Sequence, residues 1–110
     1  MEVSALEKYG ISFYSGETNG YKFNSCRFSN LNYASLSFVS YLGRTDCNGL
    51  IGDLQWSVNS GGNADDHFSS DSIEDRVIAY QYPDVVIDDV LTISMTDLLQ
   101  IVQAWKAFIG

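Results

Sequence analysis

The chain has 110 residues, 45% of them hydrophobic and 14% aromatic, which suits one domain of ordinary size and argues against disorder. Its net charge of −8, from 14 acidic and 6 basic residues, speaks against a nucleic-acid or anionic-membrane surface, since both need a basic stripe. Residues 1–110 are therefore read as a single acidic domain.

The start, Met1 to Lys8, lacks the cationic and apolar stretches of a signal peptide, and no apolar run reaches membrane-spanning length. A cytoplasmic location is expected. Cys26 and Cys47 have neither metal-ligand spacing nor a C-x-x-C arrangement, so reduced, buried thiols are the default, with a disulfide left open.

In chain order, Ser4-Ala5-Leu6-Glu7 fits a capping box and Gly10 can end the turn it starts, which predicts a short opening helix. Asn19-Gly20 between two β-rich runs predicts a type I′ hairpin of 11–18 with 21–28. A two-residue loop there sets Glu17 opposite Lys22, Phe13 opposite Cys26 and Ile11 opposite Phe28, pairing charges at one end and apolar groups at the other.

Tyr33 to Leu42 reads as a strand with Leu36, Phe38 and Leu42 on one face, followed by a loop from Gly43 to Gly49. Leu50 to Val58 alternates, with Leu50, Gly52, Leu54, Trp56 and Val58 on one side, which predicts a half-buried antiparallel strand. Residues 59–75 are polar and aperiodic and read as an exposed loop tied down by Phe68 and Ile73. Arg76 to Tyr82 reads as a strand, Pro83-Asp84 as a turn, and Val85 to Ile93 as a further strand that Asp88-Asp89 bends or interrupts.

The end of the chain predicts a helix: Ser94 caps, Asp97 completes the capping pair, and Leu98, Ile101, Val102, Trp105 and Phe108 or Ile109 form an apolar stripe. The expected fold class is α+β, a mostly antiparallel sheet of five to six strands packed by a C-terminal helix.

No catalytic motif is present. His67 beside Asp65 and Asp66 is a base-and-orienter pair in composition only, because adjacent residues in a loop rarely hold that geometry. Asp65, Asp66, His67, Asp71, Glu74 and Asp75 have the density of a Ca²⁺ or Mg²⁺ site, but the calcium-loop spacing fails: its twelfth position falls on Arg76 or Val77. No catalytic residue, metal ligand or cofactor is therefore expected.

Charge distribution is more informative. Ten of the 14 acids stand at or after Asp53, where Arg76 and Lys106 are the only cations, whereas the first 52 residues balance four acids with four bases. This asymmetry predicts a negative face directed at a basic partner. Tyr80 and Tyr82 alternate along their strand beside carboxylates and suit interface anchors. The expected partner-binding set is Asp65, Asp66, Phe68, Asp71, Glu74, Asp75, Tyr80, Tyr82 and Asp84.

The tail from Asp88 to Ile109 resembles the end of several bacterial immunity-protein families, including partners of contact-dependent growth-inhibition and other polymorphic toxins. Trp105, Phe108 and Ile109 match their W-x-x-F-[LI] ending, over about a quarter of the chain. The resemblance implies a protein that binds a cognate toxin domain and covers its active site, with no catalytic residues of its own. Two alternatives stand beside it: a nucleic-acid mimic that inhibits a defence nuclease, and a small metal- or ligand-binding domain.

Overall fold

The computed structural model describes residues 5–29, 31–63, 67–68 and 77–109. Helix α1 (Ala5–Lys8) opens the chain and Gly10, at φ 65°, turns it into the first strand. Strands β1 (Ile11–Thr18) and β2 (Tyr21–Phe28) form the expected hairpin, residue for residue, including Glu17 opposite Lys22 and Phe13 opposite Cys26. Asn19 at φ 52° and Gly20 at φ 85° supply the two left-handed residues that a type I′ turn requires.

Two expected β-segments are helical. Leu31–Tyr41 forms a 3-10 stretch, interrupted at Tyr33, rather than a strand. The residues expected to face inward, Leu36, Phe38 and Leu42, are buried all the same. Helix α2 (Arg44–Ser60) replaces both the loop expected over 43–49 and the strand expected over 50–58. Its buried positions, Cys47, Leu50, Leu54 and Ser57, are separated by steps of three and four, so they form a helical stripe. Leu50 and Leu54 satisfy both periods, whereas Gly52 and Trp56, which a strand would turn inward with them, are exposed.

The ends of α2 are well punctuated. At the start, the Asp46 carboxylate accepts from the Gly43 N–H at 3.3 Å. At the end, Gly61 takes φ 77° and donates its N–H to the Ser57 carbonyl at 2.9 Å. The buried Ser57 hydroxyl donates back to the Asp53 carbonyl, so it costs little.

The remaining strands form a second antiparallel sheet, in the order β3 (His67–Phe68), β4 (Ile78–Gln81), β5 (Asp84–Ile87) and β6 (Leu91–Ser94). The strands are thus divided between a two-stranded ribbon and a four-stranded sheet, not gathered in one sheet of five to six. The interruption at Asp88-Asp89 is complete: both take left-handed φ angles, 55° and 57°, and turn 85–93 into a hairpin.

Helix α3 (Met95–Ile109) is capped by Ser94, whose hydroxyl accepts from the Asp97 N–H at 3.1 Å. Its stripe of Met95, Leu98, Ile101, Val102 and Trp105 is buried, and it packs against α2 and against β5 and β6. Trp105 centres this core: its indole N–H donates to the Leu42 carbonyl at 2.8 Å, and Phe13 meets its ring edge-on at 5.1 Å. Both cysteines are buried free thiols, and burial pushes Cys26 up to about 12 and raises Cys47 as well. Among the described residues no helix is long and apolar enough to cross a membrane.

Candidate partner-binding surface

The four-stranded sheet positions the described members of the expected site. Its register places Phe68, Ile78, Tyr80, Val85, Ile87, Leu91 and Ile93 on one face, all buried. Phe68 and Tyr80 therefore build the body. The Tyr80 hydroxyl donates to the Asp53 carboxylate at 2.9 Å, fastening the sheet to α2.

Tyr82 behaves differently. It stands in the turn after β4, not on the strand with Tyr80, and it is 42% exposed. Its N–H donates to the Asn63 side chain at 2.7 Å, and the next carbonyl, that of Pro83, accepts from Met95 at the head of α3. Asn63 and α3 thus hold this turn while Tyr82 remains exposed. Asp84 comes after it, half-buried, in a row with Gln81 and Ser94 on the outer face of the sheet.

Asp65, Asp66, Asp71, Glu74 and Asp75 lie outside the described residues, as does Ile73. The described residues that flank them are placed at the two ends of β4. Asn63 sits against Tyr82 at one end. At the other, Val77 exchanges hydrogen bonds with Asp88: the Val77 N–H donates to the Asp88 carboxylate at 2.9 Å, and the Asp88 N–H donates to the Val77 carbonyl at 2.8 Å.

Several acids that contribute to the charge asymmetry have internal work. Asp53 holds Tyr80, Asp88 holds Val77, and Asp97 accepts from the Lys8 ammonium at 2.9 Å and the Tyr9 hydroxyl at 2.7 Å. Burial alone would raise the Asp97 pKa, but hydrogen bonds from Lys8, Tyr9 and Ser94 outweigh it and hold the carboxyl below its usual range. Burial first, and then the bond to Asp97, push the Tyr9 phenol well above its ordinary value, and the Asp84 charge adds to that shift. The Asp97 carboxylate, which the sequence spacing assigns to the capping pair at the head of α3, also ties that helix to Lys8 and Tyr9.

Sequence reasoning missed other exposed apolar groups. Trp56 on α2, Tyr41 before it, Val90 in the 88–90 turn, and Tyr21 and Phe23 on the hairpin all face solvent. A helical period across 47–57 would have turned Trp56 outward, and the hairpin register already placed Tyr21 and Phe23 on the side away from Phe13. Among the described residues no group of His, Cys, Asp and Glu is arranged to hold a metal ion, and the side chain of His67 is not among them. No family model matches this chain, and neither the curated proteins nor the solved structures contain a significant match.

Proposed function

We propose that this protein acts by binding another protein, as an immunity-type inhibitor in the cytoplasm that covers the active site of a basic toxin domain. The observation that carries this reading is the charge: −8 over 110 residues, with ten acids against two bases from Asp53 onward. Acids such as Asp53, Asp88 and Asp97 are committed to internal hydrogen bonds, so steering falls to Asp84, Asp89 and the acids of 65–75. Carboxylates presented to a positive surface give fast, salt-sensitive association. Tyr82 suits an interface anchor because its turn is held by Asn63 and α3, so little backbone freedom remains to be lost on docking.

The reading is tested by pulldown at low and high salt, then by an activity assay of the captured domain with purified inhibitor. Recovery of a basic catalytic domain that the chain silences, weakened by salt and by joint Asp65→Asn, Asp66→Asn and Asp71→Asn changes, is the expected result. Loss of Tyr82 (Tyr82→Ala) is expected to weaken binding by about 1–2 kcal/mol, mainly through faster dissociation. A partner indifferent to salt and to all four changes defeats the reading.

A further inference from the structure

The hairpin carries a surface that the partner-binding reading does not use. Near its base, Ile11 and Cys26 are buried and β2 leans on the 3-10 stretch, where the Cys26 N–H donates to the Ser40 hydroxyl at 2.9 Å. Further out, from Ser15 to Asn24, the ribbon projects from the body, with Tyr21 78% and Phe23 40% exposed. A bare two-stranded ribbon is marginal in water. Here one face is braced by a ladder: the Arg27 guanidinium lies 3.7 Å from the Tyr14 ring centre, Tyr14 meets Phe23 edge-on at 5.8 Å, and Phe23 lies over Gly16.

In a two-residue hairpin the pair next to the turn, Thr18 with Tyr21, is the hydrogen-bonded one, and bonded pairs alternate from there. The N–H and C=O groups of Phe13, Ser15 and Glu17 therefore point away from β2, along an edge that no other strand pairs with among the described residues. The outward N–H of Cys26, on the opposite strand, obeys the same alternation. What an open edge recognises is an extended backbone.

We propose that β1 pairs antiparallel with β1 of a second copy of this chain, in the register centred on Ser15, joining the two hairpins into a four-stranded ribbon. The strand is complementary to itself in that register. Tyr14 falls opposite Gly16 of the second copy, the one position without a side chain, where its ring joins Phe23 and extends the ladder. Glu17 falls opposite Phe13, and the two Glu17 residues lie four positions apart along the ribbon, so no like charges face each other directly. Pairing about six residues a side covers less than the roughly 1,200–2,000 Å² of a standard interface, so the dimer dissociates on dilution. Tyr82, in the turn after β4, and Asp84, on β5, take no part in this pairing.

The test is sedimentation of the whole chain over a wide concentration range, with circular dichroism to confirm that each variant is folded. The expected result is a mass rising with concentration to twice the 12.2 kDa of one chain. Ser15→Pro, which removes an outward N–H and leaves the β1–β2 bonds intact, is expected to raise the dissociation constant at least tenfold. A charge pair keeps the test decisive if proline disturbs the ribbon. Ser15→Lys and Ser15→Glu are each expected to weaken self-association, and their equimolar mixture to restore it as a mixed dimer. A monomer at every concentration overturns the proposal, as does a dimer that ignores all three changes or a charge mixture that associates no better than its components.

Discussion

The hairpin at 11–28 and the 50–58 stretch inside helix α2 both read as β-structure in the sequence, yet only the hairpin is extended. In the hairpin a local device settles the matter. Asn19-Gly20 adopts left-handed angles cheaply, and every pairing beyond the turn is set by that single register. In the helix local devices mark only the ends, at Gly43–Asp46 and Gly61, and the apolar pattern between them does not decide between periods of two and 3.6. Leu50 and Leu54 fit both, and the choice falls to Cys47 and Ser57, which join them in one buried stripe only as a helix, on an element packed against α3. A strong turn carries its structure with it, whereas an ambiguous run takes the conformation that its neighbours can pack.

The largest way to break that comparison is to remove a side chain on which the helix depends. Leu54 is fully buried, and Leu54→Ala is expected to cost about 2–5 kcal/mol in denaturant unfolding. Hydrogen exchange should then show α2 losing more protection than β1 and β2; equal loss in both would mean that the hairpin leans on the same packing.

The next effect comes from the joint between chain ends. Asp97→Asn keeps the shape and removes the charge that Lys8 and Tyr9 bond, for an expected loss of about 1–2 kcal/mol after allowance for the exposed Lys8. The lowered pKa fixes the sign with pH: the folded protein binds this proton less readily than the unfolded one. The contribution is thus complete above the ordinary value of 3.8 and fades as pH falls through the lower folded value. Thermal melts of the two forms should differ at pH 7 and converge in strong acid.

A smaller loss, about 1 kcal/mol, is expected of Gly20→Ala, because its φ of 85° disfavours any Cβ although the space around it is open. Cross-strand NMR contacts should weaken from the turn toward the base and leave α2 unchanged.

The smallest effect has the opposite sign and is the sharpest. Gly52 lies mid-helix with nothing within 4 Å of an added Cβ, so Gly52→Ala is expected to stabilise by about 0.5–1 kcal/mol. Destabilisation in chemical unfolding would argue for an extended conformation over 50–58.

The candidate site divides along similar lines. Net charge and its skew toward the second half are read directly from the residues, and so is a turn at Pro83. Which carboxylates are available is not, because Asp53, Asp88 and Asp97 find their partners 27, 11 and 88–89 positions away in sequence. The two tyrosines show the same limit. Their spacing of two suits one strand face, but β4 ends at Gln81, so Tyr80 is in the core and Tyr82 in water.

Local chemistry by itself determined the opening helical turn, the hairpin and its register, the capped final helix and the acidic balance. In each of these the deciding groups lie within a few residues of one another, or need no partner at all. Tertiary structure decided that 31–41 and 44–60 are helical, that the strands form two sheets, and which acids face inward. Those outcomes depend on burying one stripe against another across the fold, and a residue's periodicity does not record what it will be packed against.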